Sequence, residues 1–240
     1  MIGASMAGIK VVEVLHKYGI ETWLLDLASY IFPLAAYKEV AKEIEKRVEA
    51  QGVHLMFGVT IDHMEQENGE KTAVLTDGSR IPADIVGLCI GTRAITETVQ
   101  GEVEIGRGIV VDDHMRTSVP GIYAAGDCCE GNNLESGQNQ IIGLWANANH
   151  QGETAGINMA GGDMAYKGNI LHNITHFMNM DFIGFGDNRM QGEVLEYGSL
   201  SEDLYIRLVL DGKRIVGANI LDNYRVSGII KNYMLRLFCW

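Results

Sequence analysis

Met1-Ile2-Gly3-Ala4-Ser5-Met6-Ala7-Gly8-Ile9-Lys10-Val11-Val12 decides how the fold is read. Two apolar residues run into a turn bounded by Gly3 and Gly8, after which Ile9, Val12 and Leu15, with Val11 and Val14 beside them, repeat at helical spacing. The chain thus passes from a strand end through a tight turn into an amphipathic helix. A turn of this kind matches the dinucleotide-binding fingerprint except at its middle glycine, and such turns also serve helix–strand packing alone. Its first glycine permits the bend and its last lets helix pack on strand, while the helix N-terminus offers N–H groups and a positive dipole end to a pyrophosphate. Gly3, Ser5, Met6, Ala7 and Gly8 are accordingly candidate nucleotide contacts. Ser5 stands where the pattern usually has its middle glycine, and its hydroxyl is expected to donate to phosphate in compensation.

Outward from the turn, residues 22–26 (Thr-Trp-Leu-Leu-Asp) read as a buried strand, residues 35–51 as a charged-faced helix and residues 53–57 as another short strand. That alternation implies a parallel sheet. Asp26 ends the second strand, where an acidic side chain about 20 residues beyond the turn accepts a hydrogen bond from a ribose 2′-hydroxyl. No Arg or Lys follows in Leu27-Ala28-Ser29 to meet a 2′-phosphate, so NAD is expected over NADP.

The texture then changes. Residues 59–65 and 72–75, joined through Asn68-Gly69, with Asp77-Gly78 as the next turn, read as antiparallel hairpins. The run Asp84-Ile85-Val86-Gly87-Leu88-Cys89-Ile90 reads as a buried strand ending at Gly91-Thr92-Arg93, the first domain boundary. Residues 108–112 and a strand over 121–127 follow, then a turn by composition at Gly131-Asn132-Asn133 and a helix over 146–160. After Gly161-Gly162, residues 204–210 and 214–221 flank Asp211-Gly212, and a terminal helix is predicted over 226–237. The expected class is α/β, with Rossmann-like three-layer nucleotide binding, an antiparallel insert and a small α+β C-terminal domain.

Composition narrows the partners. The 240 residues carry 31 acidic against 19 basic side chains, a formal charge of −12, which offers no electrostatic footprint for nucleic acid or anionic lipid. No apolar run reaches the roughly 18 residues a membrane helix needs, and no basic segment precedes an apolar core at the N-terminus, so a cytoplasmic location is expected. Cys89, Cys128, Cys129 and Cys239 show neither metal-ligand spacing nor a C-x-x-C motif and read as reduced thiols. No metal site is expected, and the absence of a His, Lys or Tyr constellation near the turn leaves no catalytic side chain assigned.

The stretch Met115-Arg116-Thr117-Ser118-Val119-Pro120-Gly121-Ile122-Tyr123-Ala124-Ala125-Gly126-Asp127 closely resembles the second flavin-binding motif of the pyridine nucleotide-disulfide oxidoreductase family. The small residues Ala124, Ala125 and Gly126 admit a ligand near the strand end, and the Asp127 carboxylate accepts hydroxyl donors. In the family that carboxylate holds the ribityl chain of FAD. The resemblance covers nearly the whole chain, including Gly91-Thr92-Arg93 and Gly143-Leu144-Trp145-Ala146-Asn147-Ala148 with Gln151-Gly152 and Ala155-Gly156, and the tail from Tyr166 is similar to NADH-rubredoxin reductases and the flavoprotein part of nitrite reductases. It adds Gly91, Gly126, Asp127, Leu144 and Trp145 as cofactor contacts, the helix near Trp145 pointing its N-terminus at the flavin N1/O2 edge.

The resemblance implies an FAD-dependent NADH oxidoreductase passing electrons from NADH to rubredoxin, a disulfide, oxygen or a metal centre, with a homodimer as one possible assembly. The alternative is a non-catalytic NAD-binding module, or a subunit completed by a separate FAD-binding chain. Three departures stand out: the family's N-terminal flavin-binding half is not in this sequence, Lys10 replaces a glutamate that faces the flavin, and no Pro-Asn follows Arg93. Residues 1–91 are read as the NAD-binding domain, 92–160 as the returning part of a FAD-binding domain and 161–240 as an interface domain, and the isolated chain is expected to be inactive.

Overall fold

The computed structural model describes residues 1–202 and 204–238. In chain order these form α1 (Met6–Lys17), β1 (Trp23–Asp26), α2 (Lys38–Glu49), β2 (His54–Phe57), β3 (Ile61–Glu67), β4 (Glu70–Leu75), β5 (Arg80–Pro82), β6 (Gly131–Asn132), β7 (Asn139–Gln140), α3 (Trp145–Met159), β8 (His172–Phe177), β9 (Met180–Gly186), β10 (Glu193–Ser199), β11 (Leu204–Asp211), β12 (Arg214–Leu221) and α4 (Ser227–Phe238). They gather into two compact units, Met1–Gly91 with His172–Ile230, and Thr92–Leu171 with the residues from Lys231 onward.

In the first unit β1 and β2 pair in parallel, and Ile2 bridges Leu25 on one side and Leu88 on the other, again in parallel. The lateral order is therefore β2, β1, Ile2, Leu88, so the chain returns past β1 and β2 to pair Leu88 on the far side of Ile2. Helix α1 buries Ile9 and Val12, and α2 buries Val40, Ala41, Ile44 and Val48, in a core that also takes Leu24, Ile31 and Phe32. Fully burying side chains of this size stabilises the unit by roughly 1.5–3 kcal/mol each. Strands β3, β4 and β5 form the antiparallel insert, β3 turning into β4 at Asn68-Gly69.

The rest of this unit is a five-stranded antiparallel sheet in the order β10-β11-β12-β9-β8. It shares the core of α1 and α2: Phe32 meets the Phe177 ring edge-on and stacks on Phe182, each at 5.3 Å between centroids. Asn219 of β12, fully buried, accepts the Tyr37 N–H at 2.7 Å and donates to the Ala35 carbonyl at 2.9 Å, which fixes the entry of α2 where Tyr37 itself supplies no side-chain cap.

Three sequence expectations change. Residues 84–90 form no buried strand: Ile2 N–H bonds Gly87 O at 2.9 Å and Cys89 N–H bonds Ile2 O at 2.7 Å, and Ile85, Leu88 and Ile90 stay 83%, 62% and 72% exposed. An apolar run becomes an interior parallel strand only when partners flank it on both sides and layers cover both faces. Residues 121–127 form no strand beyond one antiparallel bridge between Arg116 and Tyr123. The expected turn at Gly131-Asn132-Asn133 instead begins with β6, which pairs with β7.

The second unit is built on α3. Its apolar core is Val103, Ile109, Val111, Met115, Ala124, Cys129, Ala155 and Tyr166. The buried face of α3 is mostly polar, carrying Asn147, Gln151, Thr154 and Asn158, and it satisfies loop backbone rather than an opposing helix.

Candidate functional site

The glycine turn is built by close approach. Gly3 has φ +102°, and a Cβ there would collide with the Cys89 carbonyl; a Cβ on Gly8 would collide with the Gly3 carbonyl. Both are steric requirements of strand meeting helix. Ser5 has φ −86° and ψ 175°, an extended conformation open to any residue, so the middle position needs no glycine. Its hydroxyl accepts the Gly8 N–H at 3.3 Å and lies 3.4 Å from the Cys89 carbonyl, to which it donates. Ser5 is thus the N-cap of α1, and the expected phosphate donor is engaged within the protein. The first-turn N–H groups of Met6 and Ala7 have no intrahelical acceptor, the kind of donor a helix N-terminus offers an anion.

Asp26 closes the turn from the next strand. Its Oδ2 accepts the Ala4 N–H at 2.7 Å and its Oδ1 accepts the Ala28 N–H at 2.8 Å. Gly3, Ser5, Met6, Ala7, Gly8 and Asp26 therefore form one locus, with a carboxylate a residue away from an exposed helix N-terminus. Gly91, exposed at φ +105°, ends the segment whose Cys89 carbonyl abuts Gly3 and Ser5.

Lys10 lies on α1 but is turned to structural use. Its ammonium bonds Glu13 and, at 2.7 Å, the His176 carbonyl. Glu13, only 4% exposed, also accepts from Lys17 at 3.0 Å and from the Met178 N–H at 3.0 Å, so the cluster ties α1 to the β8–β9 turn. Burial pushes the Glu13 carboxyl up, but the hydrogen bonds from Lys10, Lys17 and Met178 outweigh it and hold the pKa at about 2.

The second locus lies in the other unit. Gly126 has φ +86°, and its N–H donates to Gln151 Oε1 at 2.9 Å. Asp127 follows, exposed, with Oδ2 3.8 Å from where a Cβ on Gly143 would sit. Leu144 is the N-cap of α3 without a side-chain hydrogen bond, and Trp145, the first helical residue, is 84% exposed. Gly126, Asp127, Leu144 and Trp145 are thus brought together around an uncapped helix start. An exposed carboxylate accepting hydroxyls, beside free N–H donors with no side chain at Gly143 in the way, fits a ribityl chain and the anionic edge of a flavin. The one glycine-rich strand–helix turn among the described residues is the one over residues 3–8, in the first unit.

Cys129 is buried, and its thiol is pushed up to about 12 by that burial and then by Cys128, Glu130 and Asp127, so it stays protonated. Cys89, Cys128 and Cys129 are free; Cys239 lies outside the described residues. Asp112, Asp113 and His114 bring possible ligand atoms within 4.8 Å of one another, yet both ring nitrogens are taken, Nδ1 by Asp113 at 2.6 Å and Nε2 by Asp163 at 2.9 Å. The hydrogen bond to Asp113 raises the His114 pKa above its ordinary value. Sequence reasoning missed Gln151 and Glu13, whose signal is a polar residue on the buried face of a helix.

The glycine turn at a parallel sheet edge and the aspartate at an uncapped helix start lie in a mixed α/β fold of the kind that FAD- and NAD-binding reductases have. Residues 1–152 match the profile of the family described as pyridine nucleotide-disulphide oxidoreductase, and the chain belongs to that family of FAD-dependent, NAD(P)H-using oxidoreductases. It is 27% identical over 260 residues to a NADH oxidase of Streptococcus pyogenes serotype M6, covering 99% of this chain and 56% of that protein. It is 24% identical over 222 residues to a nitrite reductase [NAD(P)H] of Bacillus subtilis, covering 91% of this chain and 27% of that protein. The fold superposes on a NAD-dependent persulfide reductase from A. fulgidus with a TM-score of 0.88 at 23% identity, over 99% of this chain and 48% of that one. The chain thus spans from about a quarter to just over half of the length of these relatives.

Proposed function

We propose that this chain is the NADH-binding and flavin-contacting portion of a cytoplasmic NADH oxidoreductase, with residues 1–91 holding NADH and residues 92–160 contributing to the FAD site. The observation that carries the reading is the Asp26 carboxylate bonded to the Ala4 N–H, which fixes a negative charge at the turn where a nucleotide's ribose and pyrophosphate meet the start of α1. Bound FAD supplies the hydride-accepting chemistry. The chain's residues supply position: Met6 and Ala7 amides for the pyrophosphate, Asp26 for a ribose hydroxyl, Asp127 for the ribityl chain, and the N-terminal dipole of α3 for negative charge on the ring edge. The acceptor is of the kind the family serves, oxygen or a rubredoxin- or ferredoxin-like protein, with a disulfide or metal centre as further classes.

Calorimetry tests the reading. Because Asp26 repels a 2′-phosphate and no cation follows it in residues 27–29, NADH is expected to bind at least tenfold more tightly than NADPH, about 1.4 kcal/mol. Equal affinities would sink the assignment. A second reading, a subunit completed by a separate flavin-binding chain, is favoured by the exposed apolar run of Ile85, Leu88 and Ile90 beside an unpaired backbone edge.

A further inference from the structure

Helix α3 turns a polar face inward: Asn147, Gln151, Thr154 and Asn158 are all at most 5% exposed. Asn147 donates to the Ile142 carbonyl and accepts the Tyr166 hydroxyl, Thr154 bonds back to the His150 carbonyl, and Asn158 binds the carbonyls of His114 and Met164 and the Met164 N–H. The Asn147 and Asn158 bonds hold loops in place, and the Thr154 bond stays within the helix. Gln151 holds the corner that presents Asp127. Its Oε1 accepts the Gly126 N–H at 2.9 Å and the Cys129 thiol at 3.7 Å.

An N–H can only donate, so the Gln151 atom facing Gly126 is the oxygen, and Nε2 lies on the other side. There it is buried with no hydrogen-bond partner among the described residues. It abuts Gly131, where a Cβ would collide with Nε2 and come within 3.2 Å of the Tyr166 ring. A buried amide with one end unpaired is costly, and an apolar side chain at 151 would avoid that cost. What an apolar side chain cannot do is satisfy Gly126. That glycine is left-handed at φ +86°, and the residue after it sets its carboxylate beside Gly143 and the start of α3.

We propose that Gln151 is the positioning residue for Asp127. Its side-chain carbonyl pins Gly126 and so fixes the direction in which the Asp127 carboxylate points, while Gly131 leaves room for its amide end. The functional meaning of this role rests on the reading of Asp127 as a contact of the flavin's ribityl chain.

Amide hydrogen exchange in the 15N-labelled 240-residue chain tests it, with Gln151→Leu, Gln151→Glu and Gly131→Ala compared with the parent. In Gln151→Leu, Gly126 is expected to exchange at least tenfold faster and the Asp127 and Gly143 resonances to shift, while Met164, held by Asn158 on the same helix, keeps its rate. Gln151→Glu, whose carboxyl retains an acceptor oxygen, restores protection. Gly131→Ala loosens Gly126 although neither bonded partner has changed. Unaltered exchange at Gly126, or equal acceleration at Gly126 and Met164, would overturn the proposal, the latter by showing only a weakened helix. FAD added in excess forms a separate arm: it is expected to shift the Asp127 and Gly143 resonances, with Gln151→Leu needing at least tenfold more FAD. If FAD shifts neither resonance in the parent chain while the exchange pattern holds, the flavin reading of Asp127 falls and the positioning of the corner stands. If FAD titrates both chains alike, the functional role of Gln151 falls.

Discussion

Asp26 has both carboxylate oxygens engaged before any nucleotide arrives, one by the Ala4 N–H and one by the Ala28 N–H. Each oxygen keeps a lone pair, so in the proposed reading the side chain both shapes the turn and accepts a ribose hydroxyl. Asp26→Ala is therefore expected to narrow the NADH preference and also weaken NADH, since two turn bonds of roughly 0.5–1.5 kcal/mol each disappear with the charge. Asp26→Asn, keeping one acceptor oxygen, separates the two effects: the preference narrows while NADH affinity falls less, as titration calorimetry of both variants would register. Asp127 makes a parallel case. In an enzyme completed with a flavin-binding half, Asp127→Ala is expected to weaken FAD retention through gel filtration by roughly 1.5–3 kcal/mol, the worth of a hydrogen bond to a charged acceptor; unchanged FAD content would count against its assignment. Gly3, Gly8 and Asp26 were legible because each answers a steric or electrostatic demand that spacing alone states. The partners of the Ser5 hydroxyl were not legible, because residue type does not say whether a hydroxyl turns outward or back into its own helix.

At the scale of elements, α1 is tied down by a buried carboxylate rather than by apolar contacts alone. Glu13 has a folded pKa of about 2, below its ordinary value of 4.5, because the hydrogen bonds from Lys10, Lys17 and Met178 overcome the burial that opposes ionisation. A depressed acid contributes stability that is fully present above pH 4.5 and is lost as the pH falls toward about 2. The contribution at neutral pH is on the order of 3 kcal/mol. Urea titrations at pH 7 and pH 3 are expected to show the parent chain losing more stability on acidification than Glu13→Gln, and equal losses would remove the cluster from the account. Helices α1, α2 and α3 and the β3–β4 hairpin were legible because period and turn chemistry agree locally. The five-stranded sheet was only half legible. Strand β9 is buried almost throughout and shows no alternation, and the β8–β9 turn uses Met178 and Asn179, both left-handed at φ 46° and 61°, where glycine would have announced it. Residues 84–90 misled in the opposite direction, since an apolar run states a wish for burial and not the presence of neighbours.

Across the whole molecule, the two loci are unequal in what they grip. A dinucleotide is held chiefly where its pyrophosphate meets a glycine turn and a helix N-terminus, and the one such turn among the described residues, over residues 3–8, is the one beside Asp26 that the proposed reading gives to NADH. The corner at Gly126 and Asp127 with the start of α3, which the proposed reading gives to a ribityl chain and ring edge, has no glycine-rich strand–helix turn beside it among the described residues. Purified alone, the 240-residue chain is therefore expected to bind flavin weakly enough to lose it on a column, to show no flavin absorbance and to oxidise NADH far below an enzymatic rate even with added FAD and an artificial acceptor. It is also expected to associate. Ile85, Leu88 and Ile90 stand exposed along a backbone whose hydrogen bonds go to Ile2 and the Ser5 hydroxyl, and an apolar row beside a strand edge is a template for another chain. Light scattering should find oligomers whose size falls when Ile85 and Leu88 are replaced by lysine, because like charges on that row repel a second copy. A yellow, stoichiometrically flavinated and active monomer would contradict both expectations, and would place the missing pyrophosphate contacts within this chain.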